Sequence, residues 1–349
     1  MFNNEIISIK DETKIIKNKK SNKFNLLNLL LSIINICCII YIIELKKYYK
    51  NIIEKRSDIL EQLETCHKTR SFFYAILREI NMRGKNMTYN ESNLITIQDK
   101  LNYLLIHESP DYKSNIVDKI RLHEYSKKVL GKDICVPILK IYNHYTEIKL
   151  DELPNQFVLK CNHGSAMNII CNNKEDFDLR QAKELLNGWM SENYGVKGFE
   201  FQYLNVKQKI FAEKFLKDNI EDYKVYCFHG KPKFIRVQKV IEENKKINNY
   251  YDLNWKLTDI ETGLPKYYRI PNYIFQKPKY LNLMIEYAKK LSSEFVFVRV
   301  DFYEFNDTVY LGELTFTPSN INFRLKNQEQ CIKLGNLIDV KKIKKYLFN

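Results

Sequence analysis

The stretch "RVDFYEFNDTVYLGELTFTP", residues 299–318, reads as two strands of a β-hairpin, each carrying one carboxylate, Asp301 or Glu313, among apolar and aromatic neighbours. If Asn306, Asp307 and Thr308 form a three-residue connection, Phe305 pairs with Val309, and counting back sets Asp301 opposite Glu313 on one face. A two-residue Asn-Asp turn would shift the register by one and send the acids to opposite faces. Facing like charges repel, so a buried pair requires positive charge between its members. Two carboxylates offering only oxygen suit Mg2+. The competing reading is two exposed acids on a solvated sheet face.

The rest of the chain narrows the setting. Its 349 residues, 45% hydrophobic and 28% charged, suffice for one large or two moderate cores. The net charge of +14 lies mainly at the ends: residues 1–60 hold eleven Lys/Arg against six Asp/Glu, and the tail 341–349 adds four lysines. The middle has no cluster of Lys/Arg interleaved with aromatic platforms, so no nucleic-acid partner is expected. Eight cysteines, at 37, 38, 66, 135, 161, 171, 227 and 331, make no CxxC pair and no Cys/His zinc spacing. Scattered in this way they read as small buried hydrophobes in a reducing compartment.

Residues 24–43, "FNLLNLLLSIINICCIIYII", run for twenty residues without a charge, the length of a helix that spans a bilayer. Three asparagines weaken the pattern, while the late start and the missing small-x-small site argue against a cleaved signal peptide. The expectation is a single-pass membrane protein: a disordered lysine-rich 1–23, a span at 24–43, a helical stalk over 44–90, a catalytic domain over 91–340 and a basic tail. Six lysines in the fifteen residues before the span and five cations in the fifteen after it leave orientation open by the positive-inside rule. Sequons at Asn86, Asn90 and Asn306 favour a luminal domain if used, whereas the cysteine pattern leans to the cytosol.

Within the catalytic part, "SNIVDKIRLHEYSKKVLGKD" (114–133) reads as an amphipathic helix stopped by Gly131. "FVLKCNHG" and "NIIC" read as strands around a turn, "LRQAKELLNGWMSENYG" as a helix ending at Gly195, and "QKIFAEKFL" as a strand. "DYKVYCFHGKPKFIRVQKV" reads as a hairpin turning at His229–Lys231, and "YLNLMIEYAKKLSSE" as a helix feeding the opening hairpin. The order indicates an α+β domain with mainly antiparallel sheets.

Lys160 ends a strand just before a turn with Gly164, Ser165 and Ala166, where backbone N–H groups can wrap a phosphate; taken alone, an ordinary β-turn is the better reading of the same letters. Cys161 and His163 lack the orienting group and oxyanion site that a nucleophile needs, so His163 reads as structural. Glu213 beside Lys214 marks either the edge of a purine pocket or an exposed strand face. Lys224 meets a phosphate if it points inward and water if it points outward.

Taken in order, "VDKIRLHEYSKKVLGKD", "LPNQFVLKCNHGSAMNII", "KIFAEKFL", "DYKVYCFHGKPKFI", "NNYYDLNWKL", "FVRVDFY" and "GELTFTP" resemble the TupA-like branch of the ATP-grasp superfamily, over roughly residues 100–340. The resemblance implies a two-lobed ATP-grasp fold, the cofactors ATP and Mg2+, and an acyl-phosphate route to an amide on a small-molecule or glycan carboxylate. By position it implies Asp301, Glu313 and Thr315 as metal ligands and Lys119, Lys160 and Lys224 near the phosphates. Gly164 and Ser165 would lie in the phosphate-covering loop and Glu213 beside adenine and ribose. Arg299, with Lys224, would meet transferred charge. Thr315 stands where most of the superfamily has Asn, and Ala166 and Ser319 stand where glycines are expected. Two other readings remain beside this one: a membrane-anchored glycosyltransferase for surface polysaccharide, and an inactive nucleotide-binding scaffold.

Overall fold

The computed structural model describes residues 94–342, apart from 109, 199, 243–244, 262–266, 269–272 and 322–324. All belong to the second of the chain's two compact units, Ser71–Asn349. The expected span, the stalk and the domain boundary near residue 90 lie outside the described residues, as does most of the basic tail. No described helix is long and apolar enough to cross a membrane.

Three helices open the unit: α1 (Ile97–His107), α2 (Pro110–Val117) and α3 (Leu122–Leu130). A reciprocal cap starts α1, with the Asp99 N–H donating to Thr96 Oγ1 at 3.2 Å and the Thr96 N–H donating to Asp99 Oδ2 at 2.8 Å. The single helix expected over 114–133 is interrupted, because the Asp118 carboxylate accepts from the N–H of Ile120 at 2.9 Å and competes with the helical ladder. Lys119 therefore sits in a turn between α2 and α3. Gly131, at φ 74°, stops α3 as expected.

A first sheet follows, built from β1 (Ile138–Tyr142), β2 (Phe157–Cys161), β3 (Asn168–Cys171) and β4 (Ile210–Lys214), in the order β1-β4-β2-β3. Helix α4 (Leu179–Ser191) and the short α5 (Tyr194–Lys197) lie between β3 and β4 in sequence. The helix expected to end at Gly195 thus stops at Ser191, and Asn193 caps a new turn by accepting from the Val196 N–H. Alternate residues of β2 and β4, namely Phe157, Leu159, Cys161, Ile210 and Ala212, join Leu186 of α4 in one core. The opposite face carries Lys160 and Glu213.

The second sheet has six strands in the order β10-β9-β5-β6-β7-β8: β5 (Asp222–Phe228), β6 (Lys231–Glu242), β7 (Lys245–Tyr251), β8 (Tyr267–Tyr268), β9 (Phe297–Phe305) and β10 (Thr308–Thr315). All its pairings are antiparallel except β7 with β8. Helix α6 (Leu281–Leu291) covers one face, where Val225, Val298, Val300 and Phe302 pack with Met284 and Ala288. Helix α7 (Gln328–Gly335) closes back on α1. The result is an α+β domain of two mainly antiparallel sheets, each keeping its polar face free of its covering helices.

The β9–β10 hairpin departs from its expected construction and reaches the expected pairing. Thr308 pairs with Phe305, so the connection is the two-residue turn Asn306–Asp307, at φ 47° and 56°. That turn alone would separate the acids. The register then slips at Gly312, which is left out of the ladder as a bulge, and Glu313 lands opposite Asp301. A Cβ on Gly312 would lie 2.7 Å from Tyr303 Cε2. The bulge therefore depends on glycine for space.

Candidate active site

Along β9 the side chains alternate: Val298, Val300 and Phe302 enter the core, while Arg299, Asp301 and Tyr303 turn to the other face. On that face Asp301 stands between Glu313 of β10 and Lys224 of β5, and Lys224 in turn stands opposite Arg236 of β6. Asp301 is 1% exposed. Arg299 grips it with two bonds, Nε to Oδ1 at 2.7 Å and Nη2 to Oδ2 at 2.6 Å. Lys224 Nζ adds a third at 2.7 Å and also forms a close ion pair with Asp222. Arg299 Nη2 continues to Glu313 Oε1 at 3.0 Å and Thr315 Oγ1 at 3.1 Å. The Thr315 hydroxyl donates to Glu313 Oε1 at 3.1 Å. Two cations thus compensate the facing acids, and the exposed-face alternative is set aside.

Electrostatics follow this packing. Burial pushes the Glu313 carboxyl upward, but Lys119, Arg299 and Lys224 outweigh it and hold the group down to about 2. Asp301 goes the other way: its complete burial raises it above the ordinary carboxylate value against the pull of Arg299 and Lys224. Burial disfavours charged Lys224, yet Asp222 and Asp301 raise it overall. For Lys119 burial wins, lowering the ammonium against the attraction of Glu313, with Lys160 adding repulsion. Lys119 thus feels groups of both sheets at once, since Glu313 belongs to the larger and Lys160 and Glu213 to the smaller.

The smaller sheet supplies the other side. Lys160 Nζ lies 2.8 Å from Glu213 Oε1, so two residues read separately from sequence form one ion pair. Lys119 donates to the Gly164 carbonyl oxygen, joining the α2–α3 turn to the loop after β2. That junction rests on Asn162, whose Nδ2 donates to Asp118 Oδ1 and the Lys207 carbonyl, each at 3.0 Å, and whose Oδ1 accepts from the Lys209 N–H at 2.8 Å. His163 bonds the Trp189 carbonyl at 3.0 Å, in keeping with a structural role. Ala166 adopts φ 61° and Ser319 φ 53°. Both take the left-handed conformation of the expected glycines, at a cost of about 1–2 kcal/mol each.

Sequence reasoning missed several members. Asp222 was legible, being two residues before Lys224 and hence on the same strand face. Glu200 and Thr317 lie in connections with no periodic signal, and the bond from the Thr317 hydroxyl to Glu200 Oε1 forms only through the fold. The chain has one Asp-x-Asp pair, Asp176 and Asp178, which would interest a glycosyltransferase reading. Asp178 instead caps α4 by accepting from the Gln181 N–H at 2.9 Å, and Asp176 accepts from Asn173 at 2.8 Å. Both are surface acids away from the paired carboxylates.

Asp301, Glu313 and Thr315 offer a hard, oxygen-only donor set on two adjacent strands, which fits Mg2+. Two sheets with facing cations, a loop rich in backbone N–H groups and this donor set are the parts of an ATP-grasp protein. The chain belongs to the TupA-like ATP-grasp family, which it matches over residues 99–339. No curated protein matches it. Among solved structures it is similar to the ATP-grasp ligase PsnB complexed with minimal precursor, at 12% identity, covering 60% of this chain and 55% of that one, with a TM-score of 0.33. It is similar to D-alanine–D-alanine ligase from Bacillus anthracis complexed with ATP at 15% identity, covering 65% and 64%, with a TM-score of 0.34. For N5-carboxyaminoimidazole synthetase from Staphylococcus aureus with ADP the values are 18%, 57%, 44% and 0.32. The aligned region spans only part of each of these chains.

Proposed function

We propose that the protein is an ATP- and Mg2+-dependent carboxylate–amine ligase. Its acceptor would be a carboxylate on a small molecule, glycan component or amino acid, and its setting polysaccharide or cell-surface conjugate biosynthesis. The observation that carries this reading is the grip of Arg299 on both Asp301 and Glu313, with Lys224 on the buried Asp301 and with Lys119, Lys160 and Glu213 on the other side.

In such a reaction a carboxylate oxygen attacks the γ-phosphorus of ATP, the bond to the bridging oxygen breaks, and ADP leaves. An amine nitrogen then attacks the acyl carbon, the C–O bond to phosphate breaks, and the nitrogen loses a proton as inorganic phosphate departs. Asp301, Glu313 and Thr315 would hold Mg2+, which when bound neutralises phosphate charge. Arg299 and Lys224, held on Asp301 in the free protein, are placed to take up the charge that develops on the transferred phosphoryl group. Lys119 and Lys160 would counter the remaining phosphates, the N–H groups around Gly164 and Ser165 would approach them, and Glu213 would face the ribose and base. No protein nucleophile is required.

The test is thermal stability of the full-length protein with and without Mg-ATP, beside Asp301→Asn and Glu313→Gln. Ligand at a hundredfold over its dissociation constant adds about 2.7 kcal/mol. A magnesium-dependent shift that both substitutions diminish supports the reading. Binding of a sugar nucleotide with no ATP response would replace it with the glycosyltransferase alternative, and ATP binding without turnover on any acceptor would leave a scaffold.

A further inference from the structure

Helix α3 ends at Gly131, whose left-handed φ of 74° turns the chain back along the helix it has just left. The return segment is pinned at successive residues. Ser126 Oγ donates to the Lys132 carbonyl at 3.2 Å and accepts from the Ile134 N–H at 3.1 Å. The Ile134 carbonyl accepts from the Leu311 N–H at 2.7 Å, and Cys135 pairs with Leu311 of β10. This return sets Asp133 and Cys135 beside His123, which stands in the first turn of α3. His123 Nδ1 lies 2.8 Å from Asp133 Oδ2. An imidazole nitrogen, a carboxylate oxygen and the thiol sulfur of these three residues all lie within 4.8 Å of one another.

An ion pair accounts for His123 and Asp133 but not for the thiol that completes the triangle. Nitrogen, oxygen and sulfur donors together suit a borderline cation, not Mg2+, which takes oxygen alone. An ion equidistant from three atoms at that greatest separation would stand about 2.8 Å from each, against about 2.0–2.3 Å for zinc bonds. A closure of a fraction of an ångström therefore completes the coordination. Cys135, 8% exposed, forms the floor, and the exposed Asp133 forms the rim. Solvent thus reaches the remaining side. Asp133 Oδ1 accepts from the Cys135 N–H at 3.0 Å, which orients the carboxylate and leaves Oδ2 for an ion. No Cys/His zinc spacing announces the trio in the sequence, because the reversal at Gly131 assembles it.

We propose that His123, Asp133 and Cys135 form a Zn2+ site, made of residues distinct from the Mg2+ donors, with water as the fourth ligand. Burial, with Asp133 beside it, pushes the Cys135 thiol up, so the sulfur is protonated in the metal-free protein. On binding, that proton passes to solvent, a zinc–sulfur bond forms, and the imidazole keeps its proton on the nitrogen that does not ligate. The ion joins the first turn of α3 to the segment paired with β10. The site stands whether or not the protein is an ATP-dependent ligase.

The experiment titrates the full-length protein with Co2+ in excess Mg2+, reads the thiolate-to-cobalt charge-transfer absorption, and then displaces Co2+ with Zn2+. Wild type is compared with His123→Ala, Asp133→Asn, Cys135→Ser and Cys331→Ser. Expected are one sulfur-bound Co2+ per chain in wild type and Cys331→Ser, and none in Cys135→Ser. Binding should weaken at least tenfold in His123→Ala and Asp133→Asn, and Zn2+ should raise the thermal midpoint of wild type but not of His123→Ala. His123→Ala leaves the buried thiol in place, so it remains informative should Cys135→Ser fail to fold. A folded wild type without the sulfur absorption overturns the site and leaves an ion pair. So does absorption that persists at unchanged affinity in His123→Ala or Cys135→Ser, which would place the sulfur on another cysteine. Equal wild-type midpoints with and without Zn2+ overturn the joining role.

Discussion

Asp301 is the residue on which the buried charges balance. Replacing it by Asn leaves Arg299 and Lys224 without their shared buried partner, and removing one member of such a pair costs about 3–5 kcal/mol. Urea denaturation of Asp301→Asn should show that loss without ligand, so its response to Mg-ATP has to be read against its own baseline. Glu313 gives the pH dependence. Its folded value of about 2 lies below the ordinary 4.5, so its contribution is fully present above about pH 4.5 and is lost as pH falls toward 2. Stability between pH 5 and 2.5 should therefore fall less steeply in Glu313→Gln than in wild type. Asp301, shifted upward, works in the opposite sense and blunts the wild-type slope. At Ala166 the left-handed backbone favours glycine; Ala166→Gly should stabilise by about 0.5 kcal/mol, the relief of strain exceeding the added freedom of the unfolded chain. Chemical denaturation midpoints decide it.

At the scale of elements, legibility followed periodicity. The strands bearing Lys160, Glu213, Lys224, Asp301 and Glu313 were readable because alternation and turn residues mark them, and the resemblance tied them into one order. What escaped was decided by single side chains competing with the backbone. Asp118 breaks the helix expected over 114–133 by taking the Ile120 N–H, a local bond that hydrophobic spacing does not register. Asp118→Ala should lower stability by about 1–3 kcal/mol, since it removes the turn bond and leaves Asn162 without one partner. It should also weaken Mg-ATP binding by loosening Lys119. A variant that loses stability but binds Mg-ATP as tightly as wild type would separate the turn from the site. The bond between the Thr317 hydroxyl and Glu200 was illegible for a different reason: its two members lie in separate connections, and only three-dimensional packing brings them together.

For the whole molecule, the two sheets divide the labour. The larger carries the acids and their cations, the smaller a loop and an ion pair, and Lys119 from the helical segment stands between Gly164 of one and the field of Glu313 of the other. The excess positive charge outside this region falls mainly in 1–60 and 341–349. We propose that residues 24–43 hold the protein at a membrane with the ATP-grasp domain in the cytosol, where ATP is abundant. Cell fractionation should find the full chain with membranes and a 24–43 deletion in the soluble fraction. Protease protection of the domain inside sealed vesicles of inverted orientation would refute the cytosolic placement.

The hairpin that opened the sequence also behaves like a parity check. Pairing keeps track of odd and even positions, and the short turn at Asn306–Asp307 and the extra residue at Gly312 each flip the count once. One flip alone would send a carboxylate into the hydrophobic layer, whereas two restore the site. Single insertions or deletions between Asp301 and Glu313 should therefore abolish metal binding wherever they fall. A compensated variant, one residue added to the turn and Gly312 removed, should recover it. Length variation in this loop is thus permitted only in matched steps, a constraint on how such chains diverge that no single side chain reveals.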